Sequence, residues 1–385
     1  MLVKVNRDDI LEGVLRAGNI IPAKTGAAFL RTIWLHAEDG LLRITATDSN
    51  LEFLGEYPAE VKEAGLAGVQ GKYFCDLIKK IEGGTITFRL DAKNQSLRVE
   101  QGRRRYKLPV NEPSWFQHLS PFPQESIHNV SGMLLQDVID RVVYCVSDED
   151  SMEAAACMSL KPVPESSRVE ASGLNGHQFA LYSVDSPELA ALVGETGMLL
   201  QKKYLLECRK WLPAGNVDLA IDAKRLFLRS SEARECFSLP LSYYQFPEYH
   251  SFLTSLDTPD AATVVIDRSE ALGVLDRMLL FNSENNRCTY FEYDNGSLVL
   301  FSQGQDVGSG NEMIEAELTG TFVKTAFPTR DVITIFNHYG SDRLTLTLTG
   351  QEGPCGVSGA DDPDYTVIIM PMKIVEETYY SEEEA

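Results

Sequence analysis

A chain of 385 residues exceeds what one hydrophobic core usually organises, so two or three domains are expected. Its 44% hydrophobic and 24% charged residues describe an ordinary globular protein and exclude a disordered or fibrous one. The formal charge of −21 excludes a surface that coats nucleic acid everywhere. One locally basic face remains compatible with it, because salt confines surface fields to about 10 Å. No apolar run has the length needed to cross a bilayer, and Met1-Leu2-Val3-Lys4-Val5 lacks the basic-then-apolar pattern of an export signal. A cytoplasmic location without a membrane partner is therefore the expectation.

In chain order, Val3-Lys4-Val5 alternates like a strand, and Ile10, Leu11, Val14 and Leu15 then recur at helical spacing. Phe74, Leu77, Ile78 and Ile81 form a second helical stripe, followed by Gly83-Gly84 and the alternating run Thr85 to Leu90. The pattern then starts again. Leu134, Leu135, Val138, Ile139, Val142 and Val143 mark an opening helix. Tyr204, Leu205, Cys208 and Leu212 mark a later one, before Pro213-Ala214-Gly215 and the strand Val217 to Ile221. A third round begins with Thr263 to Ile266 and a helix start at Asp267, where Glu270 three residues on suggests a capping box. Leu272, Leu275 and Leu279 follow, then Val332, Ile333, Ile335 and Phe336, Gly340, and the strand Arg343 to Leu348.

The reading is an α+β chain of three repeated domains of about 125–130 residues, with helices and antiparallel sheets in the same order. Residues 1–126, 127–257 and 258–374 are the expected domains, and 375–385 is an acidic tail expected to be disordered. Serial repetition of one fold builds an extended or closed surface more readily than a deep catalytic pocket.

Motifs that carry chemistry are missing. There is no phosphate-cradling Gly-x-x-x-x-Gly-Lys-Ser/Thr loop, no His-Glu-x-x-His helix and no Cys/His cluster at zinc spacing. The seven cysteines, Cys75, Cys145, Cys157, Cys208, Cys236, Cys288 and Cys355, form no Cys-x-x-Cys pair and read as reduced thiols. No catalytic residue, metal or cofactor is expected. A triad assembled from dispersed residues stays open, since triads are defined by geometry and not by sequence position.

Basic residues do recur at equivalent places. Lys72, Lys79 and Lys80 lie on or beside the second helix of the first repeat, and Lys202, Lys203, Arg209 and Lys210 on that of the second. Arg141, Arg268 and Arg277 sit on opening helices. A solvated amphipathic face accounts for any one helix. Their recurrence against an acidic background suggests a shared cationic surface that meets DNA phosphates without reading bases. Arg103-Arg104-Arg105, in a strand-like stretch, is ambiguous.

Four strings then carry a resemblance. Thr45-Ala46-Thr47-Asp48-Ser49-Asn50-Leu51-Glu52 resembles the first-domain signature of bacterial DNA polymerase III beta subunits, the beta sliding clamps. Asn175-Gly176-His177-Gln178-Phe179-Ala180 and Phe246-Pro247-Glu248-Tyr249 resemble two second-domain stretches, and Ile369-Met370-Pro371-Met372-Lys373-Ile374 resembles the carboxy-terminal one. Order and spacing match over essentially the whole chain.

The resemblance implies a head-to-tail homodimer of three-domain subunits, a ring with helices lining a pore and sheets outside. It implies double-stranded DNA, encircled without sequence specificity, as a partner. It also implies the replicative polymerase catalytic subunit, the clamp loader and other replication and repair proteins carrying clamp-binding motifs. By the same comparison a partner-peptide pocket would use Gly176, His177, Phe179, Pro247, Ile368, Met370, Pro371 and Met372. Ala155, Leu174, Gln178, Ser251 and Phe252 occupy pocket positions where this chain departs from the family, leaving it less cationic. Lys24 aligns with a DNA-contacting arginine. Tyr106 and Leu108 on one side, with Leu280 and Phe281 on the other, would form the subunit interface. Two other readings stay open: an enzyme with His177 as general base, and a specialised clamp paralogue.

Overall fold

The computed structural model describes residues 1–22, 27–91, 93–230, 235–284, 286–322 and 324–374. Lys24 and the acidic stretch 375–385 lie outside them. Among the described residues are the helices α1 (Arg7–Ile20), α2 (Gly71–Lys80), α3 (Gly132–Val142), α4 (Pro187–Val193), α5 (Lys202–Trp211), α6 (His250–Thr254), α7 (Arg268–Met278) and α8 (Thr329–Asn337). Their starts have local causes. Asn6 accepts from the Asp8 amide at α1, and Ser186 accepts from that of Leu189 at α4, where proline holds the first position. At α7 the Asp267 carboxylate accepts from the Glu270 amide at 2.8 Å, at the spacing read from the sequence.

The same element order occurs three times. An opening strand (Leu2–Asn6, His128–Ser131 or Ala262–Asp267) runs into α1, α3 or α7. Further strands lead to α2, α5 or α8, and three strands close the repeat. The opening strand always pairs antiparallel with the strand that follows the second helix: Val3 opposite Phe88, Val130 opposite Val217, Val264 opposite Leu346. Side chains alternate across these strands, so one face of each feeds a core.

The chain forms two compact units that share the middle repeat. The first comprises Met1–Ile139, Pro164–Ser167 and Ser186–Tyr243; the second comprises Asp140–Val163, Arg168–Asp185 and the chain from Tyr244 on. In the first, the closing strand of the middle repeat, Glu235–Pro240, pairs with Glu52–Pro58 of the first repeat, Phe237 opposite Phe53. In the second, the closing strand of the third repeat, Asp362–Ile369, pairs with Gln178–Asp185 of the middle one, Ile368 opposite Phe179. Val274, Leu275, Phe291, Phe336 and Tyr365 belong to the buried core of that second unit.

Each of these junctions contains a carboxylate held by an arginine. Glu235, 1% exposed, accepts from the Tyr57 hydroxyl at 2.6 Å, from Trp211 Nε1 at 3.1 Å and from Arg16. Tyr57 comes this close only because residue 13 is glycine: a Cβ there would lie 1.6 Å from the phenolic oxygen. Asp362 accepts from Arg141 Nη1 at 2.8 Å and from the Ser341 hydroxyl at 2.7 Å. The Arg141 guanidinium lies 4.8 Å from the Tyr182 ring centroid and 5.1 Å from that of Tyr365. Burial opposes ionisation of Asp362, but the bonds from Ser341 and Arg141 outweigh it and hold its carboxyl below the usual carboxylate value. Arg16 and Arg141 occupy the same, tenth, position of their opening helices. Arg141 is thus committed to Asp362 and does not project as a phosphate-facing cation. Its sequence assignment to a DNA-facing surface is corrected on this ground.

Removing one partner of a buried ion pair leaves the other uncompensated, at a cost of about 3–5 kcal/mol. Glu235→Ala is expected to lower the urea midpoint of the first unit accordingly, and Glu235→Gln less, because an amide oxygen still accepts from Tyr57 and Trp211. An unchanged midpoint for Glu235→Ala would refute the lock. Asp362 titrates with a depressed folded value, so its contribution is complete above the ordinary carboxylate pKa and fades as pH falls through the folded one. Thermal melts from neutral pH downward should show wild type losing its advantage over Asp362→Asn only in the acid range.

Candidate functional site

In the second unit a cluster separate from the main core surrounds Phe179, Tyr249 and Ile368, with Leu174, Leu181, Phe246, Phe252, Leu253 and Leu256 packed against it. A tight turn builds one side. The Asn175 side chain accepts from the amides of His177 at 3.0 Å and Gln178 at 2.8 Å, and Gly176 takes φ +89°. The turn feeds the strand Gln178–Asp185, so Phe179 faces the cluster while Ala180 faces the main core. The His177 carbonyl accepts from the Met370 amide at 2.9 Å, and the Met372 amide donates to Ala326 at 2.8 Å. The first bond holds Met370 beside the Asn175 turn and the second ties Met372 to the strand Lys324–Pro328, with both methionines about two-fifths exposed.

The other side is the segment around α6. Phe246, Tyr249, Phe252, Leu253 and Leu256 recur at near-helical spacing and all turn to the cluster. Phe252 stands edge-on to Phe179 at 5.4 Å, and Tyr249 stacks on Phe179 at 5.6 Å. The Tyr249 hydroxyl donates to Glu170, and burial with that carboxylate pushes its pKa up. Leu256 lies over Gly356, where a Cβ would sit 2.6 Å from a leucine methyl. The outcome is an aromatic and aliphatic floor, next to which Pro247, Ser251, His177 and Met370 are exposed. Such a surface can take apolar side chains of a partner chain and adapt to their shape.

The pocket assignments divide. Phe179, Phe252 and Ile368 meet in this cluster with Leu174, and Met370 reaches the Gly176-His177 turn through its bond to the His177 carbonyl, whereas Met372 is tied to Ala326. Ala155 is buried beside Leu174: the Ser147 amide donates to both their carbonyls. Gln178 does not belong to the groove. It is 9% exposed and turned the other way, with its side chain bonded to the Cys145 thiol and to Asp331. The expectation that Gln178 lowers the charge of the groove is corrected accordingly. Leu253 and Leu256 were not singled out from sequence, and Tyr249 only as the end of the string Phe246 to Tyr249, although their periodic spacing with Phe246 was there to read.

The cationic residues also divide. Lys72, Lys79 and Lys80 are exposed on α2 and form no ion pair among the described residues. Lys203 and Lys210 are exposed on α5, with Lys202 and Arg209 half-buried. Lys210 pairs with Glu207 at 2.7 Å, and Lys203 lies 5.1 Å from the Tyr204 ring centroid. Arg268 donates to the Ser341 carbonyl at 2.8 Å, and Arg277 pairs with Glu312 through two bonds. Arg7, unmarked in the sequence reading, donates to the Ile78 and Lys79 carbonyls and ties α1 to the end of α2. Among the described residues no group of three or more His, Cys, Asp or Glu side chains could hold a metal ion. No described helix is long and apolar enough to cross a membrane.

Residues 1–120 match the family model of the DNA polymerase III beta subunit N-terminal domain, and 257–373 that of its C-terminal domain. The chain belongs to the DNA polymerase III beta subunit family. A beta sliding clamp of Caulobacter vibrioides is 20% identical over 379 residues, 97% of this chain and 100% of that protein. One of Streptomyces coelicolor is 22% identical over 389 residues, with the same shares covered. Among solved structures, the DNA polymerase III subunit beta of Pseudomonas aeruginosa superposes with TM-score 0.86 at 20% identity. A sliding clamp of Bartonella birtlesii bound to griselimycin reaches 0.89 at 18%. Each covers 97% of this chain and 100% of its own. The beta subunit fold is thus kept at low identity.

Gly356→Ala should force Leu256 off its seat and loosen the α6 side of the groove. Hydrogen exchange is expected to quicken at the Phe252, Ser255 and Leu256 amides while those of Phe179 and Ile368 stay protected. Unchanged exchange at Leu256 would show that the glycine is not what seats it.

Proposed function

We propose that this chain is a DNA sliding clamp, a processivity factor without catalytic activity or cofactor. Two copies would encircle duplex DNA, and the groove around Phe179 would tether the replicative polymerase, the clamp loader and other replication and repair proteins. The observation that carries this reading is likeness to beta sliding clamps along 97% of the chain. The repeated element order supports a division into three domains, 1–126, 127–257 and 258–374, and the cytoplasm is the compartment where such a clamp works.

The physics fits the task. Lys72, Lys79 and Lys80, with the basic residues of α5, would meet phosphates without reading bases, giving a smooth energy surface for sliding. Arg277 and Arg268 are already engaged within the chain and contribute less to such a surface. The −21 net charge is compatible with this, because a topological link needs no tight affinity and the exterior can be acidic. The apolar groove with exposed Met370 beside it suits short segments from several partners. Tyr106, Leu108, Leu280 and Phe281 are candidates for an apolar subunit contact, and Leu280 is 70% exposed in the single chain.

The test is retention on DNA of different topology. The protein, loaded on nicked circular DNA by the clamp loader of its own organism, is gel-filtered in high salt, before and after the circle is cut. Retention on the circle and release from the linear form are expected, since salt weakens phosphate contacts but cannot break a topological link. Loss from both forms would sink the proposal.

A further inference from the structure

The segment that leaves the middle repeat folds over the second junction as α6, and residues 112–127, which leave the first repeat, fold over the first junction. Phe116 stands edge-on to Trp34 at 5.4 Å, and Phe122 edge-on to Phe227 at 6.2 Å. Between this segment and the sheet lies a cavity of about 380 Å³, a size that holds ligands. Glu52, Leu54 and Ser238 lie on its sheet side, and Phe116, Leu119 and Phe122 on the side of the segment.

The internal repeat shows which place this is. Asp48 accepts from the amides of Asn50 at 2.8 Å and Leu51 at 2.7 Å, the same turn that Asn175 makes with His177 and Gln178. Four residues beyond these turns stand Glu52 and Phe179, facing Ser238 and Ile368 of the covering strands. The first junction thus carries a carboxylate and a hydroxyl where the second carries a phenylalanine and an isoleucine.

That carboxylate is half used. The Ser120 amide at 3.3 Å, the Ser238 hydroxyl at 3.1 Å and Arg225 Nε at 3.7 Å all approach Glu52 through Oε2, and among the described residues Oε1 has no partner. The other charges around the cavity are paired. Arg43 is held by Glu56 at 2.8 Å and Glu38 at 3.5 Å, and Arg229, over the Phe122 ring at 4.2 Å, is held by Asp218 at 2.9 Å. With the imidazoles of His36 and His118 neutral, Glu38, Glu52, Glu56 and Asp218 outnumber Arg43, Arg225 and Arg229 by one. The surplus negative charge calls for a cation, and a partly buried carboxylate oxygen binds one through a charge-assisted hydrogen bond.

The covering segment adds main-chain groups. Among the described residues, the amides and carbonyls of Gln117, His118 and Leu119 bond to no other protein group. An extended chain laid along them gains backbone bonds, and its alternate side chains turn to the protein. Exposed Phe29 and Trp115 line an adjoining cleft, which shares Thr45 and Leu119 with the cavity.

We propose that this cavity is a second docking site, for an extended segment of a partner protein that carries an arginine and, two residues away, an apolar side chain. The guanidinium bonds Glu52 Oε1, the arginine stem lies against Phe116 and Leu119, and the apolar side chain rests on Phe29 and Trp115. Arginine fits better than lysine, because a planar cation stacks on a ring while it donates, as Arg229 already does on Phe122. The two junctions then select different chemistry, apolar at Phe179 and basic at Glu52. The site stands apart from the clamp reading, which rests on likeness along the whole chain.

Calorimetric titration of the full chain with acetyl-Leu-Ser-Arg-Ser-Leu-amide tests it, since that peptide carries leucine two residues to either side of the arginine. Saturable binding is expected, and citrulline in place of the arginine, with the same shape and no charge, should weaken it at least about tenfold. Glu52→Gln keeps an acceptor for Ser120 and Ser238, and its thermal melt checks the fold. It should bind the arginine peptide about as weakly as wild type binds the citrulline one, and should no longer distinguish the two peptides. Absence of binding, or equal affinity of both peptides for wild type, would overturn the site, and the citrulline comparison needs no variant. Discrimination that persists in Glu52→Gln would put the peptide elsewhere and overturn it too. Acetyl-arginine amide binding as tightly as the pentapeptide would overturn the docking of a chain.

Discussion

An antiparallel strand with nothing on one side is a row of amides and carbonyls in search of partners. Every repeat of this chain is built with such a strand, and most of the architecture answers that one constraint. Within the chain the next repeat supplies the missing strand twice, through Glu235–Pro240 and Asp362–Ile369. Backbone hydrogen bonds alone would allow the added strand to slide. An arginine from the opening helix, fixed on one carboxylate, selects a single alignment. Tyr57, Trp211 and Ser341 complete those carboxylates, so the charges stay satisfied when buried.

The same covering event creates the groove. Phe179 and Ile368 face each other because two repeats share a sheet, and the chain leaving the middle repeat folds over them as α6. The groove thus lies at a boundary between repeats, where two sets of side chains converge without disturbing either core. Acidic residues can then accumulate elsewhere, and a chain of charge −21 can still carry the bare lysines of α2.

Much of this was legible before any coordinates. The opening helices announced themselves through apolar stripes at i and i+4, and Asp267 with Glu270 marked a helix start that the hydrogen bond confirms. The groove was expected from family resemblance alone, since Asn175 to Phe179 and Met370 to Met372 are far apart in the chain and no local periodicity joins them. Two side chains were misplaced for physical reasons. Arg141 looked like a surface cation because its partner Asp362 is 221 residues away. Gln178 was put in the groove next to Phe179, although alternation along a strand sends neighbours to opposite faces. The α6 helix has only five residues, and the spacing from Phe246 to Leu256 that extends beyond both its ends was not used.

The register between Gln178–Asp185 and Asp362–Ile369 constrains what mutation can do there. Substitution at Phe179 or Ile368 changes the shape of the groove and little else. Insertion or loss of one residue after Asn175 would exchange floor for core, turning Gln178 or Ala180 outward and driving Phe179 into the space around Cys145. Relatives that keep only about a fifth of these residues in common should therefore hold the distance from the Asn175 turn to Tyr182 fixed, because chain length there, more than residue identity, is the heritable quantity.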